Sequence, residues 1–426
     1  MSSENGVAGR PDEPEGRGET RTGPGDEPST EPAGATEPIE PARAAGWTGG
    51  RLTAIDVARG VALIGMMAVH VLTAGSGLTG AVHTLAGGRS AALFAVLAGV
   101  GLALASGGPR PRPEQVQRAR RTIPIRAAVI AVIGLTLGLI GTPVAVILVY
   151  YSVLFLCALP VLGWSARRLA LAAVVWALLS PVLSQLIRGA GLNDGPGPNV
   201  SWLDLTDPGN AALHLLLNGY YPVLTWMTYL LAGLAVGRLH LDRPATARRL
   251  VLVGAVVAVI GWAAAAICVR SAGGERALAE LVDPGAHVAD RGDGLLDDSF
   301  FGTTPVTSWW FVGVRAPHSG AIPDLLHTTG TALLVIGLAL ILVPRLRRWL
   351  LPLAAAGSMT LTIYSAHAIA LGMLEDVDPD GRLPVWPVLI VNVVVALGVA
   401  QWWGSPDRRG PLEELVTTAV EIGAPR

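Results

Sequence analysis

The sequence predicts an all-α fold: a polytopic membrane helix bundle of about ten transmembrane helices, with both termini in the cytoplasm. Of the 426 residues, 51% are hydrophobic and 15% are charged, and the mean hydropathy is +0.50. A soluble protein carries about 25% charged residues. Here the deficit is concentrated in apolar runs of about 20 residues, the length that a helix needs to cross a bilayer. Loops rich in arginine alternate with loops that are acidic or poor in arginine, which indicates repeated threading through a membrane.

Ten apolar segments are predicted to span the membrane. They cover residues 54–73, 89–106, 123–141, 143–163, 168–187, 212–237, 250–270, 322–343, 350–373 and 384–403. When the arginine-rich loop 110–121 is placed in the cytoplasm, the later arginine clusters fall on the same side, as the positive-inside rule requires. Gly141-Thr142-Pro143 predicts a tight outer turn between the third and fourth spans.

The regions outside the spans differ in composition. Residues 1–48 hold ten acidic residues and seven prolines but few large apolar side chains, which predicts a disordered cytoplasmic tail before the bundle at 49–405. This tail lacks the apolar stretch and the basic start of a signal peptide. Two outer loops are long, about 188–211 and 271–321, and loops of this length are functional or disordered. Residues 406–426 are predicted to form a cytoplasmic C-terminal segment.

Several classes of chemistry are excluded by the residue types. All 31 basic residues are arginine, which excludes catalysis by a lysine amine. Arginine and aromatic residues do not interleave on a basic face, so nucleic acid is not an expected partner. Cys157 and Cys268 lie in or beside apolar spans and predict neither a disulfide framework nor a zinc site. Nucleophile-elbow, P-loop and dinucleotide motifs are absent, and no histidine spacing indicates a metal site.

Asp56 and Arg59 lie three residues apart in the first span, so they share one helical face near its cytoplasmic end. Charges at this depth are costly unless they are paired or face a cavity. Two interpretations are open. The pair is an internal ion pair that holds the end of the span, with Gly60 allowing a close neighbour, or Arg59 meets an anionic group that enters from the cytoplasm.

The ninth predicted span is the most polar. Thr360, Tyr364 and His367 follow helical spacing and share a face. A helix with this many hydroxyl groups cannot face lipid, so it lines a cavity or packs on another polar helix. Ser358 and Thr362 are expected to bridge helices structurally.

Seven of the eight histidines fall on the predicted outer side, and the exception is His240. Imidazole is the usual proton carrier near neutral pH. An outer chamber that holds some of His70, His83, His318 and His367 is therefore an active-site hypothesis. The alternative for each histidine is an interfacial or hydrogen-bonded structural role.

Five motifs together resemble the heparan-α-glucosaminide N-acetyltransferase family and related bacterial multi-pass membrane proteins. They are Arg51-Leu-x-x-x-Asp56-x-x-Arg59-Gly60, Gly88-Arg89-x-x-x-Leu93-Phe94, Tyr221-Pro222-x-x-x-Trp226, Gly357-x-Met359-x-Leu361-Thr362-x-Tyr364 and Arg409-Gly410-Pro411-Leu412-Glu413. The resemblance covers nearly everything after residue 50. The stretch from His83 to Phe94 lacks the Asp and the Phe-Pro of the characterised acetyltransferases, so the closer kinship is to the bacterial branch.

The resemblance implies an acyltransferase in a cell membrane, expected to be a bacterial plasma membrane. It would take an acyl group from acetyl-CoA or another acyl-CoA in the cytoplasm and acylate a sugar amine or hydroxyl outside. A histidine just before the second span acts in the family, and His83 is the nearest equivalent. The polyanionic coenzyme would dock against Arg59, Arg118, Arg120 and Arg121, although the loop arginines also fit a purely topological role.

Ten residues form the candidate site. They are His83, His367 and His70 as catalytic residues, Asp56, Arg59 and Arg89 as donor-binding or ion-pair residues, and Thr360, Tyr364, Tyr221 and His318 as cavity lining. The partners are then the lipid bilayer and a small-molecule or glycan acceptor, with an oligomer possible and no metal. Two other functions fit the sequence: a transporter of an envelope metabolite, with the ninth span along its path, or a non-catalytic protein that binds a partner through the loop 271–321.

Overall fold

The computed structural model describes residues 46–72, 77–192, 197, 199–271, 274, 300–403 and 409–424. The predicted disordered tail lies outside the described residues as far as residue 45. Most of the predicted loop 271–321 and a short part of 188–211 also lie outside them.

The described residues form helices and connecting segments without a strand, which confirms the predicted all-α membrane bundle. The α-helices are α1 (Gly46–Val71), α2 (Gly77–Ala86), α3 (Arg89–Ala105), α4 (Pro113–Ile140), α5 (Leu148–Ala158), α6 (Ala166–Gly189), α7 (Pro208–Leu213), α8 (Val223–Gly237), α9 (Pro244–Ser271), α10 (Ile322–Ser358), α11 (Thr360–Val377), α12 (Val385–Trp403) and α13 (Pro411–Gly423). Short 3₁₀ turns follow at Leu159–Val161, Leu203–Thr206 and Trp309–Gly313, and a π-turn lies at His214–Asn218.

Among the described helices, seven are long and apolar enough to cross a membrane. Two further apolar helices are shorter, at Leu148–Val161 and Val223–Gly237, where the fourth and sixth spans were predicted. The predicted ninth span, 350–373, is divided by the structure. Its first part continues α10 beyond a kink at Leu346 (φ −113°, ψ 20°), two residues after Pro344. Its second part is α11, which begins after Met359, a residue outside helical geometry (φ −127°, ψ 41°).

Glycines allow two close helix crossings. A Cβ on Gly233 of α8 would lie 2.9 Å from the Cα of Gly99 on α3. A Cβ on Gly357, near the end of α10, would lie 2.8 Å from the backbone nitrogen of Gly60 on α1. Small residues at such crossings let backbones approach within the membrane, and Gly60 receives the close neighbour that its sequence context predicted.

The lipid-facing surfaces are apolar rows on outer helices. Exposed residues include Leu171, Val175 and Leu178 on α6, Leu252, Val256 and Val259 on α9, and Val391, Val394 and Val395 on α12. The described helices do not cover these apolar side chains, which suits contact with the hydrocarbon chains of lipids.

The predicted tight turn at 141–143 is a longer irregular segment that runs to residue 147 and is partly buried. Asn199 satisfies its backbone: the side-chain oxygen accepts from the nitrogen of Val146 at 2.7 Å, and the amide nitrogen donates to the carbonyl of Val144 at 2.8 Å. Partly buried irregular backbone needs such hydrogen-bond partners, because it has none of the regular bonds of a helix. The segment passes close to α11, because the hydroxyl of Thr142 donates to the carbonyl of Ala368 at 2.7 Å.

Two sides of the bundle are distinguished by their charged residues. On the arginine-rich side α3 and α8 end, and Arg238 joins them by donating to the carbonyls of Ala103 and Gly108, both at 2.7 Å, and to the hydroxyl of Ser106 at 2.7 Å. It also donates to the carbonyl of Leu162. The opposite side carries His70 at the end of α1 and is called the histidine side.

Candidate functional site

A cavity of about 540 Å³ opens among α1, α3, α4, α5, α11 and α13 and is called the arginine cavity. Its lining includes four guanidinium groups, those of Arg59, Arg118, Arg126 and Arg409. Further in, the lining is aromatic and apolar and includes Phe94, Tyr151, Phe155 and Leu148, with Thr360 and Tyr364 from α11. The cavity therefore combines a positively charged region with an apolar region.

Three of the four guanidinium groups have no ion-pair partner within the described part of the chain. Arg59 pairs with Asp56 at 3.0 Å, which is the ion-pair geometry of one interpretation, while the same Arg59 also lines the cavity. Arg118, Arg126 and Arg409 have neither a hydrogen bond nor an ion pair from their side chains to the described residues. Arg126 is half-buried, whereas Arg118 and Arg409 are exposed. Guanidinium groups without a protein acceptor are available to an anionic partner, so the cavity suits a ligand that carries several negative charges.

Glu413 is the acidic residue of the cavity, but it is engaged by the protein. Its carboxylate accepts from the backbone nitrogen of Leu361 at 2.7 Å and from the hydroxyl of Thr362 at 2.6 Å. These contacts cap the first turn of α11, where a carboxylate is stabilised by the free backbone N–H groups. Glu413 therefore connects α13 to the start of α11, and within the described residues it forms no ion pair with an arginine of the cavity.

At its deep end the arginine cavity is separated from the histidine side by two tyrosines. The hydroxyl of Tyr364 donates to the carbonyl of Ala145 at 3.0 Å, and the hydroxyl of Tyr221 donates to the same carbonyl at 3.3 Å. Tyr364 lines the cavity, whereas Tyr221 contacts His318 in the aromatic cluster described next. A single backbone carbonyl thus joins the walls of the two compartments.

His318 lies in a buried aromatic cluster on the histidine side. Its ring stacks on Trp226, with centroids 6.3 Å apart and an interplanar angle of 11°, and meets the edge of Tyr221 at 5.8 Å. The residue has a positive φ of 57°, a conformation that is uncommon for residues other than glycine. Burial, with a smaller contribution from the nearby His83, lowers the pKa of His318 to about 4. His318 is therefore a neutral imidazole at physiological pH.

His70 and His367 form a second group on this side. Nδ1 of His70 lies 3.3 Å from Nε2 of His367, and the two rings are nearly parallel, with an interplanar angle of 16° and centroids 5.4 Å apart. Nδ1 of His367 lies 3.0 Å from the side-chain oxygen of Asn392 on α12. His70 is also within electrostatic range of His318. Since α11 presents Tyr364 to the arginine cavity and His367 to His70, its predicted polar face connects the two compartments.

His83 and Arg89 lie in a small polar pocket of about 20 Å³, which is room for one water molecule. Arg89 donates to Nε2 of His327 at 3.2 Å and to the carbonyls of Gly87 and Thr84. Nδ1 of His327 is 2.9 Å from the carbonyl of Ala258, so this nitrogen carries the hydrogen and Nε2 accepts from Arg89. Arg89 is thus placed with the histidines and does not line the arginine cavity.

The structure separates the predicted donor-binding arginines as well. Arg118 lines the cavity, whereas Arg120 donates to the carbonyl of Leu159 at 3.3 Å and Arg121 is exposed. Three residues in this site were not singled out by the sequence: Arg126, Tyr151 and Asn392. The sequence did contain a signal for Arg126 and Asn392, because a charged or amide side chain within an apolar predicted span is costly unless it has a partner or a function.

Comparison with known families decides the kind of protein. Residues 51–268, slightly more than half of the chain, match the family described as heparan-alpha-glucosaminide N-acetyltransferase, catalytic. The chain belongs to this acetyltransferase family. Residues 300–422 match a second family, described as a protein of unknown function (DUF418). No curated protein matches the chain.

The acetyltransferase region and the DUF418 region both contribute to the candidate site. Arg59, His70 and Arg126 fall in the acetyltransferase region, whereas His367 and Asn392 fall in the DUF418 region. The hydrogen bond between His70 and His367 therefore joins the two matched regions. The family match supports a membrane acetyltransferase family.

Proposed function

We propose that the protein is an integral membrane acyltransferase that takes acetyl from acetyl-CoA on the arginine-rich side. The acceptor is an amine or hydroxyl of a glycan, or of a related cell-envelope molecule, on the histidine side. The observation that carries this proposal is the arginine cavity. Three of its guanidinium groups have no ion-pair partner among the described residues, and its inner end is lined by Tyr364. The hydroxyl of Tyr364 shares the carbonyl of Ala145 with Tyr221 of the histidine side.

The cavity suits acyl-CoA in both of its parts. Coenzyme A carries several phosphate charges, and Arg118, Arg126 and Arg409 offer N–H donors that match phosphate geometry. The inner lining, with Phe94 and Tyr151, suits the less polar arm that ends in the thioester. The arginine-rich side is assigned to the cytoplasm by the positive-inside rule, which is the side where acyl-CoA is made.

The reaction needs a base on the histidine side. The acceptor nitrogen or oxygen forms a bond to the acyl carbon, the carbon–sulfur bond breaks, and coenzyme A leaves as its thiolate. The proton of the acceptor passes to a neutral imidazole. We assign this role to His70, which lies about 16 Å from Arg59 along α1 at 1.5 Å per residue. His83, implied by the family resemblance, is the rival candidate.

A sidedness experiment tests the proposal. The protein is reconstituted into sealed vesicles, acetyl-labelled acetyl-CoA is supplied on the arginine-rich side, and glucosamine is supplied on the other side as the acceptor probe. We expect labelled acetylglucosamine to accumulate with the acceptor. Absence of both acetyl-CoA binding and label transfer to glucosamine or to extracted envelope glycans removes the proposal, and movement of unreacted glucosamine supports the transporter interpretation instead.

Two glycine variants provide a matched pair for the donor site. A Cβ on Gly101, which lines the arginine cavity, would lie 3.3 Å from a terminal guanidinium nitrogen of Arg59, so Gly101→Leu occupies cavity volume. A Cβ on Gly398 would meet no atom within 4 Å, so Gly398→Leu adds the same atoms in open space. We expect Gly101→Leu to weaken acetyl-CoA binding at least tenfold and Gly398→Leu to leave it unchanged. Equal binding in the two variants contradicts the assignment of the cavity.

A further inference from the structure

Asn392 is an isolated polar residue in a membrane helix. Between residues 387 and 400 of α12 every other side chain is apolar or absent. An amide in an apolar environment costs free energy unless its donors and acceptor are hydrogen-bonded. Both ends of the Asn392 amide have hydrogen-bond partners. These partners determine which atoms donate and which accept in the hydrogen bonds that run from Asn392 through His367 to His70.

The orientation of the amide follows from a backbone carbonyl. One end of the Asn392 amide lies 2.9 Å from the carbonyl oxygen of Val388. Because a carbonyl oxygen only accepts hydrogen bonds, the atom that faces it is the amide nitrogen. The other end, which lies 3.0 Å from Nδ1 of His367, is therefore the amide oxygen. An amide oxygen accepts, so Nδ1 of His367 carries a hydrogen.

The same reasoning extends to His70. A neutral imidazole carries one hydrogen, so Nε2 of His367 is left with a lone pair. That nitrogen lies 3.3 Å from Nδ1 of His70, which must then be the donor. Nε2 of His70 keeps its own lone pair. It has no hydrogen-bond partner among the described residues, and the His70 residue is half-buried.

We propose that Asn392 is a positioning residue that fixes His367 and His70 as Nδ1–H tautomers, so that His70 presents the lone pair of Nε2 to the acceptor. The part that concerns the acceptor rests on the proposed acyl transfer, whereas the tautomers do not. In the reaction the acceptor proton moves to Nε2 of His70 while Nδ1–H stays bonded to His367. No proton has to travel along the chain, because the chain orients the base and supports its positive charge.

The tautomers are measured directly. Nitrogen NMR on the full-length protein in bilayers, with ¹⁵N-labelled histidine, distinguishes protonated from bare ring nitrogens. His70→Gln and His367→Gln spectra assign the signals. We expect Nδ1–H and a bare Nε2 for both residues at neutral pH. A wild-type spectrum with hydrogen on Nε2 of His70 overturns the inference.

Three variants separate positioning from packing. Asn392→Asp keeps an oxygen that accepts from His367, so both tautomers are retained. Asn392→Leu removes the acceptor, so the signals of His367 and His70 change. Gln401→Leu, on the exposed face of the same helix, is the matched control and leaves the spectrum unchanged. If Asn392→Leu folds and gives the wild-type histidine signals, Asn392 does not fix the tautomers.

Transfer assays give a separate result. With acetyl-CoA and glucosamine we expect Asn392→Leu to lower kcat about 100-fold, the low end of the contribution of a general base, with an unchanged KM for acetyl-CoA. Asn392→Asp is expected to recover most of this loss. Wild-type protein with the expected tautomers but without transfer removes the proposed function and leaves the positioning role. Active protein with the opposite tautomers removes the positioning role alone.

Discussion

The arginine cavity and the histidine pair are both polar regions inside a membrane bundle, but they differ in whether their polar groups have hydrogen-bond partners within the protein. In the cavity, Arg118 and Arg126 have no partner for their guanidinium groups among the described residues. In the histidine pair, three of the four ring nitrogens of His70 and His367 have partners, and Nε2 of His70 has none within the part of the chain that the structure describes. The first arrangement suits a charged ligand that supplies its own acceptors, whereas the second suits a reaction at one atom.

A comparison within the arginines supports this distinction. Arg238 is buried like a residue of the core, with 4% of its surface exposed, and it donates to four protein oxygens. Arg126 lines a cavity and donates to none of the described residues. Burial of a charge therefore does not by itself indicate function in this protein. The presence or absence of protein acceptors separates the structural arginine from the candidate ligand-binding arginine.

The largest expected effect is on the rate of acetyl transfer when the proposed base, His70, is removed. His70→Ala removes the free imidazole nitrogen, so we expect acetyl transfer to fall by about 10²–10⁴, the usual contribution of a general base. The KM for acetyl-CoA is expected to stay within a few-fold, because the donor binds in the arginine cavity. Rates of labelled acetyl transfer to glucosamine provide the measurement.

Two controls accompany this variant. His240→Ala changes a histidine on the arginine-rich side and is expected to leave the rate unchanged. His83→Ala tests the residue that the family resemblance implies. If His83→Ala abolishes transfer while His70→Ala retains it, the base lies in the small polar pocket beside Arg89 and the assignment to His70 is wrong.

Arg238 is expected to have the largest effect on stability. Arg238→Met keeps an unbranched apolar side chain but removes the donors to the carbonyls of Ala103, Gly108 and Leu162. Hydrogen bonds to charged groups contribute about 1.5–3 kcal/mol each, so we expect a loss of at least 3 kcal/mol in the free energy of unfolding. Thermal unfolding in detergent, without acetyl-CoA, measures this loss. Arg243→Met, at an exposed position nearby, is the control, and equal unfolding temperatures for both variants contradict the structural role.

The fold was predictable because its main signals are local in sequence. Hydropathy and the alternation of arginine-rich loops predicted the membrane bundle, and helical periodicity placed Thr360, Tyr364 and His367 on one face. Two features of the fold were not predicted from the sequence. The division at Met359 and the irregular segment at 141–147 are stabilised by distant partners, such as Glu413 for α11 and Asn199 for the segment.

The candidate site was predictable residue by residue but not in its grouping. His70 and His367 were both candidates, yet their contact joins residues 297 positions apart and depends on how α1 and α11 pack. Arg89 was grouped with Arg59 on chemistry alone, and the structure places it with His83 and His327. Sequence patterns report which residue types are unusual in a membrane, whereas the pairing between helices requires the packed structure.

The aromatic cluster gives a pH-dependent prediction. The pKa of His318 is lowered by burial from 6.5 to about 4, so the unfolded chain binds this proton more readily than the folded protein. The resulting stability is present above pH 6.5 and is lost as the pH falls through about 4, with a total of about 3 kcal/mol at most. His318→Asn removes the titrating group and tolerates the left-handed backbone. Unfolding temperatures between pH 7 and 4 are expected to fall less in the variant than in the wild type, and parallel curves contradict the burial of a neutral His318.

The smallest expected effect lies in the donor cavity, where several arginines share one ligand. Arg126→Gln removes a single positive charge, so we expect the Kd for acetyl-CoA to rise about tenfold, equivalent to about 1.4 kcal/mol. Because no described residue depends on the Arg126 side chain, the variant is expected to unfold at the wild-type temperature without ligand.

Arg121→Gln is the matched control for Arg126, since it removes the same charge from an exposed position of α4. Long-range attraction of an anionic ligand would weaken equally in the two variants and would decrease with salt. Direct contact in the cavity predicts a loss for Arg126→Gln that persists at high salt and no loss for Arg121→Gln. Equal effects would mean that the arginines attract the ligand only through the overall positive field of the arginine-rich side. The cavity would then not be a site of direct contact with acetyl-CoA, and its contrast with the histidine pair would not reflect ligand binding.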